Sequence, residues 1–302
     1  LAVTYAATDL SATAHIIFDV TGYYTPDLNG ATYYPLNPAR ILDTRPTVPS
    51  GNPTNTGGIL GPVGTGVPQT FQVTGIGGVP AGATAVTGNL TVTEQSSRGA
   101  IYLGPVSNAS PTIFTLDFPV GDNRANAVTM ILGAGGKLFF TFVAPSAGQR
   151  TQVVFDVTGY FMPGTGGGAF HALTPARILD SRPTVPSGNP TNVGLAGAFK
   201  SHVARTFQVI GMGGVPGGAT AVTGNLTVTQ QGSLGYLFIG PVPMNWPTTS
   251  TLNFPIGDNR ANAVTVTLGS GGTLSVTYAA SNLSTAAHVI FDVAGYFTPA
   301  TS

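Results

Sequence analysis

The chain has 302 residues, of which 7% are charged, with eleven acidic and eleven basic side chains. A sequence with so little charge has no field that would attract nucleic acid or an anionic membrane surface, so we expect neither as a partner. The absence of cysteine excludes disulfide bonds and thiolate metal sites.

The first 26 residues repeat the sequence at the end of the chain. "LAVTYAATDLSATAHIIFDVTGYYTP" aligns with "LSVTYAASNLSTAAHVIFDVAGYFTP" from Leu274. A fixed internal period is the mark of a repeat architecture. We therefore interpret residues 1–26 as the last part of a preceding repeat, with predicted strands at Ala2–Ala6 and His15–Tyr23.

The first complete repeat, residues 33–163, consists of short apolar and Thr-rich runs separated by Gly and Pro. This pattern, without a helical period, predicts an all-β domain of the β-sandwich type, jelly-roll or Greek-key-like. In "GNLTVT", alternation predicts that Leu90 and Val92 face the core while Asn89 faces the other side. The predicted strands are Ala39–Thr44, Thr70–Thr74, Ala83–Thr93, Ala100–Leu103, Ile113–Phe118, Ala127–Leu132, Lys137–Val143 and Gln152–Phe161.

The second complete repeat, residues 170–299, copies the first at an offset of about 136 residues. "FPVGDNRANAVT" from Phe118 returns as "FPIGDNRANAVT" from Phe254. Because the linkers 27–32 and 164–169 are short, we expect an extended, bead-like array in which neighbouring domains almost touch. The longest irregular stretches, 46–68 and 183–205, are the predicted contacts between repeats or between chains.

Charged residues are so few that their recurrence is informative. Paired carboxylates could support glycoside hydrolysis, or the charges could form partly buried ion pairs that hold the first strand of a repeat to the last. We favour ion pairs, because no Glu recurs at a matched position. The predicted ion-pair residues are Arg40, Asp43, Arg45, Asp156, Arg177, Asp180, Arg182, Asp292 and Asp19.

No cofactor or metal site is predicted. His15 and His288 correspond to each other, but Gln152 stands between them in the middle copy, and a metal site would not tolerate that replacement. Asp122 in the "GDNR" turn offers too few oxygen ligands for calcium. No nucleophile with a matching base and acid can be identified, so we expect no enzymatic activity.

Taken together, "PARILDTR", "VPAGATAVTGNLTVT", "NFPIGDNRANAVTVTLGSGGTLSVTY" and "AHVIFDVAGYFTP" resemble a repeat found, often in tandem and sometimes beside enzymes, in secreted and cell-surface proteins of some bacteria. The resemblance implies export and an all-β module, and it carries no catalytic residues. No apolar run reaches the roughly 18 residues of a membrane span, so we expect no membrane span. For an exported protein, we expect the signal sequence upstream of Leu1.

We therefore predict a non-enzymatic extracellular or cell-surface structural protein, whose tandem β-repeats assemble head to tail into a filament, sheath or surface layer. The predicted strands of residues 1–26 have unpaired edges, which favour pairing with another copy of the chain or with an upstream part of the same polypeptide. The predicted assembly residues are Ala2, Val3, Tyr5, Ile16, Phe18 and Val20.

The alternative is an adhesive or carbohydrate-binding accessory module of a larger secreted protein, with glycans as partners. Sugar rings stack on exposed aromatic faces, and the "GYY" and "GYF" endings and Trp246 are aromatic. Trp246 is matched in the first repeat by Ser110, so the aromatic signal is not repeated.

Overall fold

The fold is that of an all-β protein. A computed structural model describes residues 2–9, 11–25, 30–46, 56–183 and 193–300. Eighteen strands lie in this part of the chain. It holds no helix long and apolar enough to cross a bilayer. The predicted fold class is confirmed.

Strands β1 to β9 form the first sandwich. One of its sheets has the order β1–β9–β4–β7 and the other has the order β3–β8–β5–β6. β1 begins earlier than predicted, because Ala31 and Tyr33 pair with Pro163 and Phe161 at the end of β9. The strands are β1 Ala31–Asp43, β2 Val63–Gly64, β3 Gln69–Gln72, β4 Ala85–Thr93, β5 Gly99–Gly104, β6 Leu116–Phe118, β7 Arg124–Ile131, β8 Lys137–Val143 and β9 Arg150–Pro163.

Strands β10 to β18 form the second sandwich in the same way. Its sheets have the orders β10–β18–β13–β16 and β12–β17–β14–β15. The strands are β10 Gly168–Asp180, β11 Phe199–Lys200, β12 Arg205–Gln208, β13 Ala221–Thr229, β14 Gly235–Gly240, β15 Leu252–Phe254, β16 Arg260–Thr267, β17 Thr273–Ala280 and β18 Ala286–Pro299.

Each sandwich has its own apolar core between its two sheets. Leu90 and Val92 of β4 are fully buried there, as the alternation in "GNLTVT" predicts, together with Phe140 and Phe155. The second repeat buries its own set of apolar side chains in the equivalent place. Burial of one such side chain stabilises a fold by about 1.5–3 kcal/mol, so each repeat carries its own source of stability.

The two repeats lie side by side, and the expected bead-like array is wrong for this pair. β1 and β10 join the two larger sheets through the pair Tyr33 and Gly168. Strand β16 of the second repeat contacts β1, β4, β7 and β9 of the first. The predicted linker 164–169 is folded between the repeats: the Thr32 hydroxyl donates to the Gly164 carbonyl at 2.8 Å and accepts from the Gly167 N–H at 3.1 Å.

The irregular stretches predicted as contacts fall partly outside the described residues, which omit 47–55 and 184–192. The described remainder of 46–68 hydrogen-bonds within its own repeat. For example, the Asp43 N–H donates to the Thr56 carbonyl at 2.8 Å and the Gly61 N–H donates to the Thr44 carbonyl at 2.8 Å.

The strands predicted at Ala2–Ala6 and His15–Tyr23 are wrong for the chain as described, since residues 2–9 and 11–25 form no strand. The copy of the second segment in the second repeat is β18, which lies between β10 and β13. A strand exists through its hydrogen-bonded neighbours. In the described part of the chain, strands β1 to β18 pair with one another, and none of them pairs with residues 2–9 or 11–24.

Candidate assembly site

An arginine in the first strand of each repeat lies at the centre of an ion-pair cluster. Arg40 donates through Nε and Nη2 to the two carboxylate oxygens of Asp156, at 2.9 and 3.1 Å, and through Nη1 to Asp43 at 3.2 Å. Arg45 also donates to Asp43, at 2.7 Å. Burial raises the pKa of Asp156, and the charge of Arg40 opposes that effect. The cluster ties β1 to β9 beside a register shift.

The second repeat contains the same cluster. Arg177 contacts Asp292 at 2.8 Å and Asp180 at 3.3 Å, and Arg182 contacts Asp180 at 2.7 Å. Burial would raise the pKa of Asp180, but the hydrogen bonds and charge of Arg182 together with the charge of Arg177 lower it. Asp43 and Asp180 are fully buried and bound by arginines. The arrangement therefore has the geometry of structural ion pairs.

The contact between the repeats is built around two asparagines that the sequence analysis did not select as site residues. Asn262 accepts the Ala127 N–H at 2.9 Å and donates to Asn89 Oδ1 at 2.9 Å and to the Thr251 carbonyl at 2.7 Å. Asn89 in turn donates to the Ser250 carbonyl at 2.7 Å. Both asparagines are buried. A buried amide with all these partners fixes how one repeat sits on the other.

An ion pair lies beside the asparagines, where the "GDNR" turns of the two repeats meet. Two nitrogens of Arg260 donate to the two oxygens of Asp122, both at 2.9 Å, and Arg124 donates to the same carboxylate at 2.7 Å. Burial would lower the pKa of Arg260, but Asp122 and Asp258 raise it. Within the described residues, no three His, Cys, Asp or Glu side chains converge to hold a metal ion.

The two repeats use different surfaces in this contact, so the interface is heterologous. The first repeat contributes the outer face of its larger sheet, and the second contributes the edge formed by β15 and β16. We call these surfaces the outer face and the edge. In the contact, the outer face consists of Asn89 and Asp156, with Asp122 beside it, and the edge consists of Ser250, Arg260 and Asn262. Their counterparts are Asn225, Asp292 and Asp258 on the second repeat, and Phe114, Arg124 and Asn126 on the first. We call them the unused counterparts, because within the described residues none of them forms a hydrogen bond or an ion pair with the other repeat.

The unused counterparts are more exposed than the residues in the contact, although their sequences are nearly identical. The side chain of Asp156 is 2% exposed and that of Asp292 is 27% exposed. The side chain of Asp122 is 12% exposed, against 47% for Asp258. Asn225, the counterpart of Asn89, lies at the surface. Within the described residues, the second repeat therefore has a free outer face, and the first has a free edge at the side chains of Arg124 and Asn126, although strand β7 itself contacts β15 and β16.

A cluster of aromatic rings lies where the two repeats join. Tyr33 is fully buried among Phe161, Phe170 and Phe297, and its hydroxyl lies 3.1 Å from the hydroxyl of Thr87. Burial raises the pKa of Tyr33. Tyr24, from the first segment of the chain, stacks on Phe170 with 4.2 Å between ring centroids. The "GYY" and "GYF" endings therefore pack at the junction of the repeats.

All six predicted assembly residues, from Ala2 to Val20, are exposed. Phe18 is 71% exposed, whereas its copy Phe291 is fully buried in the second core. The same difference in exposure holds for four more residues of the segment, which are exposed while their copies are buried. The exposed residues are Val3, Tyr5, Ile16 and Val20, and the buried copies are Val276, Tyr278, Val289 and Val293. Large apolar side chains exposed together in one segment are typical of a surface that another molecule or segment covers.

The prediction that Asp19 takes part in an ion pair is wrong for the chain as described. Its copies Asp156 and Asp292 pair with Arg40 and Arg177 on the first strand of their own repeats. Asp19 is exposed, and within the described residues it has no arginine partner. The reason is the same as for the missing strands: residues 2–25 have no first strand of their own beside them.

The remaining aromatic and histidine candidates are separate from one another. Trp246 is 67% exposed and stacks on His202 with 3.7 Å between ring centroids. His171 stacks on Tyr296 at 4.9 Å. His288 contacts Ser181 at 3.1 Å. These contacts form no repeated aromatic platform.

No family model matches the sequence, and no curated protein matches it. Among solved structures, the chain is similar to the CBM22-1-CBM22-2 tandem domain of Paenibacillus barcinonensis Xyn10C, with 8% identity, 86% of this chain and 98% of that chain covered, and a TM-score of 0.23. It is also similar to N-glycanase F, with 12% identity, coverage of 88% and 96%, and a TM-score of 0.21. For the Macrobrachium rosenbergii nodavirus the identity is 10%, the coverage 94% and 96%, and the TM-score 0.21.

Proposed function

We propose that this chain is a non-enzymatic structural protein that works outside the cell, in a filament, sheath or surface layer built from repeats packed head to tail. The heterologous contact between the two repeats carries this proposal. Such a contact leaves one copy of each surface unused, so at least one further repeat can be added through the same contact. The free outer face around Asn225 and the free edge around Asn126 are these two surfaces.

Residues 2–25 support the same function by offering strands for a neighbouring unit. They carry the apolar side chains that two strands of a complete repeat bury, yet these side chains lie exposed. The equivalent positions in this chain are already filled, by β9 between β1 and β4 and by β18 between β10 and β13. The complement of residues 2–25 is therefore a sandwich that lacks its last two strands. Backbone pairing would give this joint its affinity.

The composition is in keeping with a packed extracellular assembly. A chain with 7% charged residues and no net charge can pack closely against its own copies without strong repulsion. The likeness of the repeat to those of secreted and cell-surface proteins of some bacteria supports a location outside the cell.

The first test is electron microscopy of the native material, in which we expect a regular assembly whose axial spacing matches repeats of this size. In the purified chain, Asn225→Arg places a bulky charge on the free outer face and should prevent assembly. Leu283→Arg is the control, because Leu283 is also exposed but lies outside the outer face and the edge. Isolated particles in the native material, or normal assembly of the Asn225→Arg chain, would contradict the proposal.

A further inference from the structure

Five aromatic rings at the junction come from three copies of the repeat. Tyr24, Phe161 and Phe297 are equivalent residues, each following the Gly-Tyr pair at the end of a repeat. Tyr33 and Phe170 are equivalent residues at the start of a repeat. Residues 2–25 therefore contribute one ring, and each complete repeat contributes two.

The rings follow one another with alternating spacings. Within a repeat, Tyr33 and Phe161 are 5.0 Å apart, and Phe170 and Phe297 are 5.2 Å apart. Between repeats, Tyr33 and Phe297 are 4.4 Å apart, and Phe170 and Tyr24 are 4.2 Å apart. Tyr24 therefore occupies the same position relative to the second repeat as Phe297 occupies relative to the first.

The distances between the rings fit a threefold arrangement of the repeats. Tyr24 lies 6.3 Å from Phe161 and 6.3 Å from Phe297. Three repeats with two rings each would give six ring positions, and five of them are filled. The sixth position lies between Tyr24 and Phe161. It belongs to the counterpart of Tyr33 in the repeat that ends with residues 2–25. Tyr24 contacts Phe170 in the way that Phe297 contacts Tyr33. The repeat that ends with residues 2–25 therefore comes before the first repeat in the sequence, but lies next to the second repeat in space.

The polar contact surfaces allow the same geometry. The second repeat has a free outer face at Asn225 and Asp258, and the first has a free edge at Arg124 and Asn126. A heterologous contact closes into a ring when its rotation divides a full turn. With a rotation of a third of a turn, one additional repeat would cover both free surfaces.

A cleft of about 1270 Å³ lies where that repeat would begin. It is bordered by Tyr24, by Thr129 and Ile131 on the edge strand of the first repeat, and by Gly218 and Tyr296 of the second. Ile131 is an exposed apolar side chain on this border. The cleft therefore connects the free edge, the second repeat and the aromatic cluster.

We propose that three repeats close into a ring around the aromatic cluster, and that the third member is the β-sandwich whose last two strands are residues 2–25. This inference rests on the proposed head-to-tail packing and specifies its stoichiometry. The contact used between the first two repeats is then used three times and ends there. The ring, with its other surfaces, becomes the unit that is placed in the larger assembly.

The test adds a third repeat to the 302-residue chain. A copy of residues 168–273, which is the second repeat without its last two strands, is fused directly before Leu1, so that residues 1–26 can complete it. The chain has no cysteine, so pairs of introduced cysteines can be joined by a short thiol crosslinker without background. The reaction is scored in monomers isolated by gel filtration, which excludes contacts between chains.

Three cysteine pairs separate the outcomes. Asn89→Cys with Asn262→Cys is the control, because these side chains are 2.9 Å apart in the chain as described. The sequential pair joins Asn126→Cys to the same substitution at the added copy's Asn225. The closing pair joins the chain's own Asn225→Cys to the same substitution at the added copy's Asn262. A ring predicts that all three pairs crosslink to a similar extent.

If the sequential pair crosslinks and the closing pair does not, the ring is overturned while head-to-tail packing survives. If only the control pair crosslinks, both proposals fail. Hydrogen exchange of residues 15–24 shows whether the added repeat has folded. We expect exchange there to slow by at least about tenfold relative to the 302-residue chain, because core strands open far less often than exposed backbone. Unchanged exchange would overturn the strand completion on which both proposals depend.

Discussion

Substitution of Asn262 by Ala tests the contact between the repeats, because the chain contains its own control. Asn262 makes two hydrogen bonds to the first repeat, with Ala127 and Asn89, and one to the Thr251 carbonyl of its own repeat. Its counterpart Asn126 makes only a hydrogen bond within its own repeat, to the Thr115 carbonyl at 2.7 Å. The two substitutions therefore differ by the hydrogen bonds that cross between repeats.

The expected magnitudes follow from the number of bonds lost. A typical hydrogen bond contributes about 1 kcal/mol to stability. Asn126→Ala should lower the free energy of unfolding by about 1 kcal/mol, and Asn262→Ala by about 3 kcal/mol. The difference of about 2 kcal/mol measures the contact between the repeats.

Urea unfolding followed by circular dichroism gives these free energies, and the fluorescence of Trp246 reports on the second repeat separately. If the repeats unfold in two transitions, each variant is compared within the transition of its own repeat. A double-mutant cycle of Asn89→Ala and Asn262→Ala should show a coupling of about 1 kcal/mol for their shared bond. Equal losses for Asn126→Ala and Asn262→Ala, with no coupling in the cycle, would refute the interface described here.

Three further substitutions test the aromatic cluster, a histidine and a sheet contact. Tyr24→Ala should speed hydrogen exchange at residues 21–25, because it removes the stack on Phe170. Tyr23→Ala should not, because the side chain of Tyr23 is 86% exposed. Equal effects of the two substitutions would contradict the anchoring of Tyr24. Burial lowers the pKa of His288 from 6.5, so its contribution to stability is present above pH 6.5 and is lost as the pH falls through the lowered pKa. His288→Gln should remove that dependence in urea unfolding at a series of pH values, and an unchanged pH profile would count against it. Gly88→Ala should destabilise the fold by about 1–3 kcal/mol in thermal unfolding, because the added Cβ would lie 2.8 Å from the Asp156 carbonyl oxygen. Gly64→Ala should be near neutral, because its Cβ would meet open space. Similar losses of stability for both variants would disprove the close contact at Gly88.

Much of the fold could be predicted from the sequence because it is encoded locally. The alternation that buries Leu90 and Val92 is visible in six letters, and each predicted strand of the first repeat overlaps an observed one. The pairing of Arg40 with Asp156 was also accessible, since charges that recur in an almost uncharged chain need partners. These features depend on one repeat alone.

The contact between the repeats could not be predicted, because identical sequences occupy different environments. Asn126 and Asn262 both stand in "GDNRANAV", yet only Asn262 is buried against the other repeat. The recurrence of that motif indicates that its residues matter for the structure, but it does not predict which copy contacts the other repeat. The strands predicted in residues 2–25 failed for a related reason, since strand propensity has no effect without a neighbouring strand.

The polar character of the repeat contact determines where a repeat can stand in an array. An apolar contact surface would be a liability wherever it remained uncovered, which is why terminal repeats of many solenoids need specialised caps. Here the same side chain serves in both settings: Asn89 is hydrogen-bonded in the interface, and its counterpart Asn225 lies at the surface. A repeat with such surfaces can stand with its contacts made or left open without a change of sequence, so a ring that is still incomplete needs no end piece.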